Sequence, residues 1–360
     1  MDLNELLEQM VGEGASDLIL KVGSRPAIRV KGRLQYLSES EITRDFGMRV
    51  LAALLDDARM EKYVRSQEMD VAYEIVGLGR FRVNIFHQLG EPGLVFRHVK
   101  SEIASFEELR LPVEQMEKLS SLPRGLVLAT GVAGSGKSTT LAAMVEYMNQ
   151  NLDRHIITIE DPIEFVFEDK RCVITQREIG HDSASFATAL KFCLRQAPDV
   201  IVIGEMRDTA TVEAAINAAE TGHLVLSTLH TVNAIQTVER VLSYVPPHQH
   251  DLVRMQLSMT LGGIVSLRLL NTVDNSGRIP ATELLMPTPT VKDVIKEGRT
   301  TELESALREG EFFGTMTFMQ SLARLYKEGK IAYHDALTAA DNPDELKLVL
   351  AGVTRGLNVR

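Results

Sequence analysis

Residues Gly131-Val-Ala-Gly-Ser-Gly-Lys-Ser138 fit the pattern G-x-x-x-x-G-K-[ST], and this run constrains the fold more tightly than any other stretch of the chain. It stands between a short apolar segment, Gly125-Leu-Val-Leu-Ala-Thr130, and a helical one running from Ser138 to Met148. The order strand, glycine loop, helix is what phosphate binding requires. Glycines let the backbone wrap around phosphate oxygens, and the N–H groups of the loop and helix N-terminus face the anion. Lys137 adds a full positive charge, and the Ser138 hydroxyl is a suitable Mg²⁺ ligand. A chance Gly-rich turn ahead of a helix is the weaker alternative, because eight positions fall in register between the right flanks. The sequence thus predicts a nucleoside triphosphate site built from Gly131, Gly134, Ser135, Gly136, Lys137, Ser138 and Thr139.

Around this loop the pattern divides in two. Up to about residue 100, Asp17–Val22, Ala27–Lys31, Asp70–Ile75, Arg80–Phe86 and Gly93–Val99 alternate polar and apolar residues, as half-buried antiparallel strands do, with a helical segment near Gly47–Tyr63. A small α+β domain is expected there. A polar, helix-poor stretch follows near Lys100–Pro112. From Gly125, buried strand-like runs at Leu126–Thr130, Ile156–Glu160, Val200–Gly204 and Leu224–Leu229 alternate with helices, which predicts a parallel sheet covered on both faces. After about Asn271 the sequence reads as helices joined by polar turns.

At 360 residues the chain has room for two domains, and its 44% hydrophobic and 24% charged content is that of an ordinary globular protein. A net charge of −10 argues against a passive nucleic-acid binder. Cys172 and Cys193 are too few for a disulfide framework or a four-ligand zinc site and are expected as small buried residues, in keeping with a reducing cytosol. The first ten residues place Leu3, Leu6, Leu7 and Met10 on one helix face and lack the layout of a signal peptide. No apolar stretch approaches the ~18 residues of a membrane span, so membrane contact is expected only through a partner.

A phosphate loop needs carboxylates nearby. Asp199-Val-Ile-Val-Ile-Gly-Glu205 is an apolar strand ending in a glutamate at its C-terminal edge, where open α/β sheets bind ligands. Glu205 is placed either for the Mg²⁺ shell or as a water-orienting base. Glu160, Asp161 and Glu164 crowd the end of another strand, as a cation-sharing group or as an acidic surface turn. His223 and His230 bracket the strand 224–229; packing is the ordinary role of such residues, and hydrogen bonding to a γ-phosphate or an acidic neighbour is the functional one. Arg80, Arg82 and Arg97 project from strand-like runs, where a solvated face is the usual explanation.

Taken in order, these segments resemble the secretion-type ATPases that power type IV pili and type II secretion. The resemblance rests on the loop 131–138, on Ile159-Glu-Asp-Pro-Ile-Glu164, on Leu194-Arg-Gln-Ala-Pro-Asp-Val200 leading into Gly204-Glu-Met-Arg-Asp208, and on Thr221-Gly-His with Thr228-Leu-His-Thr231. It implies an α/β fold with a RecA-like ATPase core, an N-terminal PAS-like α+β domain and a C-terminal helical region. The corresponding bounds are 1–100, a linker 101–122, 123–270 and 271–360. It further implies a cytoplasmic homohexamer, peripheral to the inner membrane through a pilus platform protein, that uses ATP and Mg²⁺. Neither nucleic acid nor direct membrane insertion is expected.

Within the family the chain is similar to the retraction branch (PilT/PilU type), which drives twitching motility. It shows no four-cysteine zinc motif, and the motor core begins at once, with Glu13-Gly-Ala-Ser-Asp-Leu18. The helix Thr290-Val-Lys-Asp-Val-Ile-Lys-Glu297 departs from the A-I-R-N-L-I-R-E pattern of the PilT type, and the segment from Phe318 to Asp341 resembles the PilU type. Ile19 and Ala197 depart from the frequent histidine and aspartate of the family. The main expectation is a retraction motor. An accessory ATPase working with a paralogous retraction motor is the alternative, and an assembly or type II secretion ATPase comes third. By resemblance, Glu164 is the base and Glu205 the carboxylate organising Mg²⁺ together with Ser138. His230 joins the nucleotide site, and Arg82 and Arg97 are sensors or fingers for the γ-phosphate.

Overall fold

Helix caps, turn residues and strand alternation divide the chain into two units, each with its own core. The computed structural model describes residues 2–30, 32–99, 102–274 and 276–352. Lys31, expected to close a strand, and Lys100 and Ser101, expected to open a linker, lie outside the described residues. The first unit spans Met1–Glu102 with Glu164–Val166, and the second Ile103–Ile163 with Phe167–Arg360.

The first unit contains α1 (Leu3–Gly12), β1 (Asp17–Lys21), β2 (Ala27–Val30), β3 (Arg33–Tyr36), α2 (Arg44–Leu54), α3 (Asp57–Ser66), β4 (Glu68–Ile75), β5 (Gly79–Gln88) and β6 (Glu91–Val99). The strands form one antiparallel sheet in the order β3-β2-β1-β6-β5-β4. Its register sorts the two faces. Ile28, Leu18, Phe96, Val83 and Val71 stand in one row across the sheet, and these side chains pack in the core with Leu7, Phe46 and Tyr63 from the helices. One step along each strand, the next row is Arg29, Asp17, Arg97, Arg82 and Ala72. The single helix expected near 47–63 is two. Leu55 takes an extended conformation, and Asp56 starts a new helix by accepting the Arg59 N–H at 2.8 Å, so local capping outweighs the continuous helical pattern.

The second unit continues with α4 (Val113–Ser120), β7 (Gly125–Thr130), α5 (Lys137–Asn151), β8 (His155–Glu160), β9 (Val173–Glu178), α6 (Phe186–Cys193), β10 (Val200–Ile203), α7 (Thr209–Glu220), β11 (Leu224–Leu229) and α8 (Ala234–Ser243). After these come α9 (His250–Thr260), β12 (Leu261–Asn271), β13 (Arg278–Leu285), α10 (Pro289–Lys296), α11 (Leu303–Glu309), α12 (Phe318–Lys327), α13 (Tyr333–Ala339) and α14 (Pro343–Leu350). Seven strands form one sheet in the order β13-β12-β7-β11-β10-β8-β9, parallel except for β13 against β12. Successive residues of β7 bury on opposite faces: Leu126 and Leu128 pack with α7 and α8, Val127 and Ala129 with α4 and α5. No helix among the described residues is long and apolar enough to cross a membrane.

The stretch expected to be helix-poor ends at Pro112, and the rest of the expected linker 101–122 holds a helix, Val113–Ser120, whose Met116 and Leu119 enter the sheet's core. One expectation is corrected. The region after 271 is not all helix. β13 runs from 278 to 285 and is buried at every position after Arg278, so it lacks the alternation that marks a strand in sequence. The half-polar edge strand Val173–Glu178 also escaped the sequence reading. Both cysteines are buried, and burial pushes the Cys193 thiol up to about 11.

Candidate functional site at the carboxyl edge of the parallel sheet

The buried strand β7 ends at Thr130, and the chain then turns through the glycine loop into α5. Gly131, Gly134 and Gly136 have φ of 144°, 75° and 100°, a region that side chains other than glycine's rarely enter. At Gly131 space is closed as well. A Cβ there would lie 2.4 Å from Ser135 Oγ and 2.6 Å from the Leu267 carbonyl. The helix begins at Gly136 with no side-chain cap, so the first-turn N–H groups, those of Ser138 and Thr139 among them, are offered to a ligand. Ser135 Oγ is buried and has no hydrogen-bond partner. An uncapped helix N-terminus, a buried orphan hydroxyl and a lysine at the loop are a donor set suited to phosphate oxygens.

Lys137 is buried at the start of α5 and donates from Nζ to the carbonyls of Gly131 (2.9 Å) and Val132 (3.0 Å). Its third neighbour is His230 Nδ1 at 3.5 Å. An ammonium can only donate, so Nδ1 accepts, which leaves the Nε2–H to face Glu205 Oε1 at 3.3 Å. The other Glu205 oxygen accepts from Arg207 Nη2 at 2.8 Å. Burial pushes the Glu205 carboxyl up, but Arg207 and His230 outweigh it and hold the group below its ordinary value. Lys137, His230, Glu205 and Arg207 thus form one continuous polar array at the carboxyl ends of β7, β10 and β11. The sequence reading gave Arg207 no role, although an arginine two places after a strand-end glutamate is a readable ion-pair signal.

Other candidates lie elsewhere. His223 sits at the amino end of β11, with Nδ1 3.0 Å from the Ala218 carbonyl. It is removed from the phosphate loop because the strand places 223 and 230 at opposite edges, which corrects the expectation for His223 but not for His230, which faces Glu205. At the end of β8, Glu160 accepts from the Thr158 hydroxyl (2.6 Å) and from Gln176 (3.3 Å). Asp161 faces Arg207 and raises its pKa, after the larger effect of Glu205. Glu164 is exposed in the short segment that belongs to the first unit. In the first unit Arg82 and Arg97 are cross-strand partners. Arg97 Nε donates to Asp17 at 2.9 Å, Arg29 lies 3.6 Å from the same carboxylate, and Arg82 lies 3.7 Å from Asp70. No group of three or more His, Cys, Asp or Glu side chains that could hold a metal ion occurs among the described residues.

Comparison with known proteins agrees with this geometry. Residues 1–329 match the family model described as type II/IV secretion system protein. The chain is 41% identical to the type IV pilus ATPase PilU of Pseudomonas aeruginosa, over 97% of this chain and 91% of that protein. It is 40% identical to the type IV pilus retraction ATPase PilT of the same organism, over 96% of this chain and 99% of that one. The crystal structure of the pilus retraction motor PilT with bound ADP superposes with a TM-score of 0.90 at 40% identity, covering 96% of this chain and 99% of that chain. The mixed α/β core on its phosphate loop is therefore the RecA-like ATPase core of these proteins. The chain belongs to the type II/IV secretion system protein family, as one of its ATPases.

Proposed function

We propose that this protein is a homohexameric motor that hydrolyses ATP to drive retraction of a type IV pilus, working from the cytoplasmic side of the inner membrane through a platform protein. The observation that carries the reading is the polar array Lys137–His230–Glu205–Arg207 beside an uncapped, glycine-rich helix start. The pilus assignment draws on the similarity to PilT and PilU.

In this reading Gly131, Gly134 and Gly136 wrap the phosphates, Ser135 and the Thr139 N–H bind them, and Lys137 exchanges its carbonyl partners for the γ-phosphate. Ser138 and Glu205 would hold Mg²⁺, partly through water, in keeping with a cation that keeps its waters and takes few protein oxygens. When bound, the ion neutralises charge that develops on the phosphates. Glu164 accepts the proton of the attacking water, and His230 carries the phosphate state to Glu205. Arg82 and Arg97 supply positive charge late, from a neighbouring subunit, a contribution of about 10³–10⁵ in rate for an arginine acting this way.

Steady-state turnover tests the site: Lys137→Ala and Glu205→Gln should each abolish most ATPase activity, and full activity in either variant would overturn the assignment. Mixing Arg82→Ala with Glu205→Gln subunits should restore partial turnover; a persistent absence of activity in mixed rings would remove action across subunits. Twitching in a deletion strain carrying this gene tests the pilus role. A second reading, an accessory ATPase beside a paralogous motor, is favoured by the sequence of Thr290–Glu297. It predicts weak turnover of the isolated protein and stimulation by the paralogue.

A further inference from the structure

Three hydroxyl and carboxyl side chains stand in one row across β7, β12 and β13. Thr130 is the partner of Ser266, and Ser266 is the partner of Glu283. Thr130 Oγ1 donates to Ser266 Oγ at 3.0 Å, and Ser266 Oγ donates to Glu283 Oε1 at 3.4 Å. The same carboxylate oxygen accepts the Ala234 N–H, the first residue of α8, at 2.7 Å. All three side chains are buried, Glu283 at 7% exposure. Burial of an acid is costly, and here burial lifts the Glu283 carboxyl to about 7, against the Ala234 N–H, Arg268 and Ser266, while Asp341 adds to the rise. Arg268 comes from β12 and Asp341 from the segment after α13, and the two pair at 2.7 Å.

Both ends of this row return to the phosphate site. Thr130 is the last residue before Gly131. Ala234 follows His230 by four residues, and Arg268 Nη2 reaches the Val232 carbonyl of that connection at 3.4 Å. Together with the 3.5 Å approach of Lys137 to His230, the path closes on itself: loop, lysine, histidine, α8 N-terminus, Glu283, Ser266, Thr130, loop. A buried carboxylate is an expensive way to cap a helix that Asn233 already caps by accepting the Gln236 N–H at 2.9 Å. Its distinct contribution is to join that helix to the strand carrying the phosphate loop.

We propose that Glu283 is a positioning residue for the phosphate site: its buried side chain fixes the start of α8, and with it His230, relative to β7 and Lys137. It touches neither nucleotide nor reacting atoms. The inference rests on the reading of that site as one for ATP hydrolysis.

A double-mutant cycle on the full-length protein tests it, with kcat for ATP and the Kd of N-methylanthraniloyl-ATP measured for wild type, Glu283→Ala, His230→Ala and the pair. Glu283→Ala should lower kcat by about tenfold or more, and the double variant should fall no further than His230→Ala alone, since residues acting as one unit are not additive. Glu283→Gln, which keeps an oxygen for the Ala234 N–H, should stay within about threefold of wild type. Multiplying effects of the two alanine variants, or a Gln variant as impaired as the Ala one, would overturn the proposal. Should Glu283→Ala not fold, Ser266→Ala cuts the same link and enters the cycle in its place. A wild-type protein without turnover would sink the hydrolytic reading alone, because the cycle in Kd still decides whether Glu283 acts through His230.

Discussion

Arg82 and Arg97 face each other directly across β5 and β6, and the only separation between Arg97 and Arg29 along the same row is the buried carboxylate of Asp17. Like charges opposite one another cost stability unless an acid shares them. Arg82 is largely exposed, so Arg82→Ala should leave thermal unfolding nearly unchanged, within about 0.5 kcal/mol, while lowering ATPase turnover at least about tenfold. Asp17→Asn should instead lower the stability of the first unit. It loosens Arg97 and Arg29 together and costs about 1–3 kcal/mol, the range for a buried group left without its charged partners. Calorimetry and steady-state turnover on the two variants separate the effects.

Ser135 Oγ is buried without a partner. Removing an unsatisfied hydroxyl should not harm the free protein, so Ser135→Ala is expected to be neutral or up to about 1 kcal/mol more stable without nucleotide. With nucleotide the order reverses, because the lost donor weakens binding. The thermal shift produced by saturating ADP should therefore be smaller in the variant; an equal shift would remove Ser135 from the phosphate contacts.

The raised pKa of Glu283 makes a pH prediction. Its folded value of about 7 lies above the ordinary carboxylate value, so the folded state binds the proton more tightly than the unfolded chain does. The group's favourable contribution is fully present below about pH 4.5 and is lost as pH rises through about 7. Glu283→Gln cannot ionise. Its stability relative to wild type should grow between pH 5 and pH 8, measured by urea unfolding across that range, and a flat difference would contradict the assignment.

The turn between β5 and β6 consists of Leu89 and Gly90, with φ of 51° and 78°. Two positive φ values suit a two-residue hairpin turn, but an exposed leucine is a poor residue for the first position. Leu89→Asn should stabilise the protein by about 0.5–1 kcal/mol in urea unfolding, with turnover unchanged.

Much of this arrangement was visible in the sequence where a single segment carries the whole signal. The glycine loop, the apolar strands 125–130 and 224–229, and Glu205 at a strand end needed no knowledge of distant residues. The alternation of Arg80, Arg82 and their neighbours showed a polar face, but not that Arg97 lies opposite Arg82, because register is set by the partner strand. Arg207 gained meaning only beside Glu205. Glu283 had no local mark at all. Its surroundings come from residues 130, 234, 266, 268 and 341, and the strand that bears it is too uniformly buried to alternate.

The pairing of β7 with β12 has a consequence for the order in which the molecule is made. Thr130 and Ser266 hydrogen-bond across 136 positions of sequence. A ribosome releases the glycine loop and β11 long before β12, so in the growing chain one flank of the nucleotide strand is an open edge. Closing it requires a long connection to be ordered late, the slow kind of contact. The strand that leads into the glycine loop therefore waits on β12, and until that strand arrives its backbone is unshielded on one side.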